Sequence, residues 1–173
     1  MDDTPEIVSA GKYLRLMRKG KWEYVDRTGT GGAVGIVAIT DDAKLLLVEQ
    51  YRAPVDKYVI ELPAGLVGDE PGQERESVLV AARRELQEET GYDAGEISFL
   101  VSGPTSPGMN SEIIALVLAG KLQKLHAGGG VEGESIVIHE IPLTQVEIQL
   151  KEWIAQGKLV DLKVYAGLHF AGI

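Results

Sequence analysis

The 173-residue sequence contains no cysteine. A disulfide framework, a zinc–thiolate centre and a cysteine nucleophile are therefore excluded, and the chain is compatible with a reducing cytosol. Long hydrophobic runs are also missing, and no apolar stretch is long enough to span a bilayer. The N-terminal MDDTPEIVSAGKYL has neither the basic start nor the apolar run of a signal peptide. These absences predict a soluble, cytoplasmic protein with no membrane partner. Positive charge is scarce: 17 Lys and Arg stand against 26 Asp and Glu, a formal net charge of −9. That balance argues against generic nucleic-acid binding, which needs a basic footprint. A phosphate substrate remains compatible if a cation or a local arginine neutralises the contact.

What is present fits one globular domain with a substantial core, at 45% apolar content. There is no repeat and no low-complexity segment. KYLRLMR and KWEYVDR flank Lys19-Gly20 and predict an N-terminal hairpin over residues 12–26. AVGIVAIT and KLLLVEQYR, either side of Asp41-Asp42-Ala43, predict buried strands joined by a turn. YVIELPAG reads as a short strand ended by Pro63 and Gly65, and 66–76 as a polar loop. Residues 77–90 form the clearest helix, with Ser77 as cap and Val78, Ala81, Ala82 and Leu86 as an apolar stripe. EISFLVS, EIIALVLAG and SIVIHEI predict further strands. Thr144 and Glu147, at capping-box spacing, open a second helix that ends at Gly157, and a third runs through LKVYAGLHF. The order predicts an α+β fold, or a mixed sheet flanked by helices.

The end of the first helix, ARRELQEETGY, poses a problem. A helix C-terminus carries partial negative charge and favours Lys or Arg, yet Glu85, Glu88 and Glu89 crowd into this one. Glu85 and Glu89 share a face, with Glu88 at its edge, and like charges at such spacing repel by roughly 0.2–0.5 kcal/mol. No Lys or Arg stands four residues later to offset them. Two readings of the residues stay open: a solvated acidic face, or a site for a hard divalent cation, which prefers oxygen ligands.

The segment RELQEETG resembles the core of the Nudix box. Glu76 is followed by seven residues and then Arg84-Glu85-Leu86-Gln87-Glu88-Glu89-Thr90-Gly91, with Tyr92 in the final apolar position. One departure stands out. The family glycine falls on Gly65 in ELPAG, and ten residues rather than five separate it from Glu76. The extra length lies in the polar loop, where it costs little.

The resemblance implies a Nudix fold, with a mixed sheet sandwiched between helices and an N-terminal hairpin added. It divides the chain into N-terminal strands, 1–32, and a Nudix domain, 33–173. It implies Mg²⁺, with Mn²⁺ as a substitute, held by Glu85, Glu89 and the Ala64 carbonyl, with Glu88 assisting. Arg84 and Glu76 would orient the helix. VEQYR, ELPAGL, SPG and GGGVEGESI together resemble the branch acting on ADP-ribose and nucleoside diphosphate sugars. That branch implies substrate contacts at Arg52, Glu61, Pro107 and Glu112. It also implies a general base at Glu132 and a metal ligand at Glu134, two roles that sequence alone leaves interchangeable. The catalytic set so implied is Glu132, Glu88 and Glu85. His126, His139 and His169 have no metal-ligand spacing, and structural roles are expected for them.

The expected activity is Mg²⁺-dependent hydrolysis of the diphosphate linkage of ADP-ribose or a related nucleoside diphosphate sugar. GDP-mannose or broad nucleotide-sugar hydrolysis is the alternative within enzymes, and a non-catalytic sensor on the same fold is the alternative outside them. Such a sensor is expected to lose box acids, and this chain keeps them. The N-terminal strands of this branch pair two copies, so Leu14, Trp22 and Tyr24 are expected at a homodimer interface.

Overall fold

The computed structural model describes residues 4–69, 72–130 and 135–173. At the N-terminus, β1 (Glu6–Ala10), β2 (Leu14–Lys19) and β3 (Trp22–Arg27) form a separate antiparallel sheet in sequence order. The hairpin expected around Lys19-Gly20 is β2–β3. It closes at Lys19↔Trp22 across Gly20, whose φ of 57° suits glycine. Strand β1 carries no alternation that would mark it in the sequence.

The main sheet is built from β4 (Ala33–Ile39), β5 (Lys44–Arg52), β6 (Lys57–Glu61), β7 (Ala64–Leu66), β8 (Tyr92–Pro104), β9 (Ile113–Lys124), β10 (Val137–Pro142) and β11 (Leu159–Val160). Its order is β11-β6-β5-β4-β9-β8, with β7 on β4 and β10 on β5. The β4–β9 and β11–β6 pairs are parallel, while the rest are antiparallel. A strand covered on both faces should be apolar throughout, and β4, AVGIVAI, is. Val34, Ile36 and Ala38 face α1 (Val78–Thr90), where they meet Ala81, Ala82 and Leu86. Val37 faces the opposite layer with Leu45, Leu47, Ile60 and Leu62. That layer is α2 (Val146–Ala155), through Val146, Leu150 and Trp153, and α3 (Leu162–Ala171), through Val164. The result is the α+β sandwich expected from the element order.

Helix α1 matches the sequence signals. Ser77 is extended and accepts a hydrogen bond from the Val80 N–H, and Gly91 ends the helix at φ 76°. Helix α2 does not. The chain enters it through a 3-10 turn at Leu143–Gln145, and Gln145 is the N-cap with no side-chain cap bond. The capping box expected from Thr144 and Glu147 is therefore not formed, because the 3-10 turn shifts the helix start past Thr144. Glu147 pairs with Lys151 instead, at 2.6 Å.

The fold places the site in one step. Pro63 separates β6 from β7, and β7 returns along β4 with Gly35↔Ala64 and Val34↔Gly65 in register. Helix α1 lies over this turn, so its acidic end meets the ELPAG segment.

Candidate active site

A cleft of about 580 Å³ opens between α1, β7 and the ends of β5, β6 and β9. Glu85, Glu88 and Glu89 line it, as do Ala64, Arg52, Glu61 and Glu112. Segments far apart in sequence thus converge on one hollow.

Arg84 organises the acidic end. Its guanidinium donates to both Glu76 oxygens at 3.2 Å, to the Leu66 carbonyl at 3.0 Å and to Glu85 Oε1 at 2.8 Å. Glu88 Oε2 and Asp69 Oδ1 each stand 3.4 Å away. Its charge is held firmly: the Glu76 hydrogen bonds, then Glu85, raise its pKa above the ordinary guanidinium value. The same Arg84 hydrogen bonds hold Glu76 below the usual carboxylate range, and Glu76 also accepts from the Gly68 N–H at 3.1 Å. Part of the excess negative charge is therefore neutralised from within the helix.

Glu85 is different. Burial pushes its carboxyl up to about 7; Arg84 opposes the shift, while Glu88 and Asp69 add to it. A Cβ on Gly65 would lie 1.8 Å from the Glu85 carboxyl carbon, so the missing side chain of Gly65 is the space this carboxylate fills. Glu89 is 6% exposed, and its Oε2 accepts from the Ala64 N–H at 3.0 Å. The donors here are all oxygen, partly desolvated and in excess of nearby positive charge, which suits a hard divalent cation. No group of three carboxylates among the described residues is already gathered around a common point. Arg84 holds Glu85 and Glu88 in its place.

Arg52 and Glu61, both expected at substrate, are partners of each other. The guanidinium spans the carboxylate at 2.5 and 3.0 Å and also donates to Gln50 Oε1 at 2.9 Å. Glu61 raises the Arg52 pKa first of all, so Arg52 stays a permanent cation on the cleft wall. Glu112 accepts from Arg27 Nε at 3.0 Å. Pro107 lines a separate hollow with Lys19, Trp22 and Tyr24 from the N-terminal sheet. Glu132 and Glu134 lie outside the described residues. Arg27, Asp69 and Lys163 line the cleft without having been anticipated. Only Asp69, in the extended loop after Gly65, had a signal nearby; Arg27 and Lys163 sit in segments with no motif.

Comparison with known proteins agrees with this geometry. The NUDIX domain family model matches residues 29–162. The chain is 41% identical over 140 residues to a methanol dehydrogenase activator of Bacillus methanolicus, covering 80% of this chain and 71% of that protein. It is 38% identical over 113 residues to an ADP-ribose pyrophosphatase of Bacillus subtilis strain 168, covering 65% and 58%. A GDP-mannose pyrophosphatase of Citrobacter koseri is 35% identical over 155 residues, covering 84% and 76%. A crystal structure of an ADP compounds hydrolase superposes with a TM-score of 0.67 at 28% identity, covering 86% of this chain and 80% of that one. With the acidic helix end and the Gly65 cradle joined by this match over residues 29–162, the chain belongs to the Nudix family of hydrolases.

Proposed function

We propose that this chain hydrolyses the diphosphate linkage of ADP-ribose or a related nucleoside diphosphate sugar. The observation that carries the reading is the meeting of Glu85 and Glu89 with the Arg52 guanidinium in one cleft. The acidic wall suits a cation and the arginine suits a phosphate, for which a guanidinium fork is well shaped. The relatives named as ADP-ribose and GDP-mannose pyrophosphatases support the same chemistry.

Glu85, Glu89 and the Ala64 carbonyl would hold Mg²⁺, with Mn²⁺ as a substitute and Glu134 as a further ligand. When bound, the cation neutralises phosphate charge and lowers the pKa of water. Glu132 takes the proton of the attacking water, and Glu88 assists from the acidic wall of the cleft. Arg52, steadied by Glu61, orients the diphosphate, and Glu112 contacts the rest of the substrate; Pro107, expected at substrate, lies in the separate hollow and takes no part in this reading. Water oxygen forms a bond to one phosphorus and the bridging P–O bond breaks. ADP-ribose then yields AMP and ribose 5-phosphate. Catalysis rests mainly on positioning and charge stabilisation.

GDP-mannose is the second reading, favoured by the relative that covers 84% of the chain. The test is product analysis with Mg²⁺ and each substrate in parallel. AMP released from ADP-ribose at the higher kcat/KM supports the first reading. Faster GMP release moves the enzyme to the second, and turnover of neither refutes both.

A further inference from the structure

The last turn of α1 is closed in an unusual way. Helix C-terminal carbonyls normally end in water or on the residues just past the helix. Here Gly91 supplies the ordinary closure, donating to the Gln87 carbonyl at 2.8 Å. The next two carbonyls belong to Glu88 and Glu89. Gly130 donates to the first at 3.0 Å and Gly129 to the second at 2.8 Å, from a segment some forty residues along the chain. That segment is anchored from its other side, because the Leu125 and His126 N–H groups both donate to the Gly91 carbonyl, at 2.7 and 3.3 Å.

The packing tolerates no side chain at Gly91 or Gly128. A Cβ on Gly91 would stand 2.1 Å from the His126 carbonyl oxygen, and one on Gly128 would stand 2.4 Å from the Thr90 carbonyl carbon. Gly128, Gly129 and Gly130 have φ of 70°, 111° and 84°. Three successive positive φ angles are readily available only to glycine, which gives the GGG run a physical reason. Two N–H dipoles are thereby added to a helix end that carries both its own partial negative charge and three carboxylates.

From this we infer that Gly128–Gly130 is a positioning strap for the acidic wall: it fixes the backbone of Glu88 and Glu89 so that their carboxylates stay aimed into the cleft. Helix ends fray, and fraying here would swing both side chains. Glu89 is held at both ends, its carbonyl by Gly129 and its carboxylate by the Ala64 N–H. The inference rests on the reading of Glu85 and Glu89 as cation ligands.

The experiment is titration of the substrate-free protein with Mn²⁺, comparing Gly129→Ala with Gly157→Ala and Glu85→Gln. Position 129 has no atom within 4 Å of an added Cβ, so the substitution strains only the strap. Position 157, between α2 and β11, is a control that also has a positive φ, 86°, and equal open space. Gly129→Ala is expected to weaken Mn²⁺ binding about 10-fold or more, as loss of support around a metal ligand does, while Gly157→Ala binds as wild type. Wild-type binding by Gly129→Ala overturns the inference, and so does an equal loss in Gly157→Ala, since general destabilisation would then suffice. Undiminished binding by Glu85→Gln removes the ligand reading itself, and the strap's role with it. Should Gly129→Ala fail to fold, Gly130→Asn and Gly130→Val decide. Asn tolerates positive φ and Val does not, so Asn must bind Mn²⁺ more tightly; equal binding overturns the inference.

Discussion

Glu85 sets function against stability. Its carboxylate is desolvated in a cradle shaped by the missing side chain of Gly65. Without a cation, that arrangement costs the fold, because burial disfavours the charged form. Glu85→Gln should therefore leave the melting temperature of the metal-free protein unchanged or raised, yet lower kcat/KM by about 100-fold or more. Gly65→Ala should act on the same contact from the other side, keeping the fold while displacing the carboxylate and cutting activity. Thermal melts and steady-state rates on the two variants check both, and full activity in either at limiting Mg²⁺ would refute the ligand assignment. At this scale the sequence exposed the acids and the arginine before them, because one helix presents them at fixed spacing. Arg27 and Lys163 were invisible. They reach the cleft only through the pairing of the N-terminal sheet with the 105–112 loop and the docking of α3, and neither is a local property.

At the level of elements, α1 was legible because cap, stripe and stop agree, and consistency across levels marks a well-specified element. The start of α2 misled for the opposite reason. Thr144 and Glu147 satisfy the capping-box spacing, but Leu143–Gln145 winds as a 3-10 turn and no cap bond forms. The two serine/threonine positions should then respond differently to truncation. Ser77→Ala removes a real cap and should cost about 1 kcal/mol. Thr144→Ala removes none and should fall within about 0.5 kcal/mol of wild type, as ordinary surface substitutions do. Urea unfolding of both variants measures the contrast, and equal losses would contradict the capping difference. Strand β1 escaped the sequence reading because a short exposed strand at a sheet edge has no buried face to impose alternation.

For the whole molecule, the issue is surface. A compact monomer of 18.7 kDa should expose about 8,300 Å² by the usual scaling, whereas this chain exposes 10156 Å². Exposed apolar side chains of the N-terminal sheet contribute to it. The N-terminal sheet stands apart from the main sheet and joins it through the Val25–Met109 and Ser111–Val25 backbone bonds, Asp26–Ser111 and Arg27–Glu112. Tyr13, Leu14 and Trp22 are left 63%, 47% and 59% exposed. Packing within the monomer therefore does not account for these side chains. The β2–β3 register puts Leu14 with Leu16 on one face of the sheet and Trp22 with Tyr24 on the other, and the Leu14–Leu16 face is the one proposed to pair, as exposed apolar surface often does. A second copy is the occupant proposed, with residues 1–32 as the dimerisation element; a standard interface of about 1,600 Å² in total would cover about 800 Å² of each chain, a little under half of the excess. Light scattering at micromolar concentration should then give twice the chain mass. Leu14→Glu, which places a charge on the Leu14–Leu16 face without touching the main core, should return it to the monomer value. A monomeric mass for the unaltered chain would refute the pairing and leave the sheet's apolar face without this role.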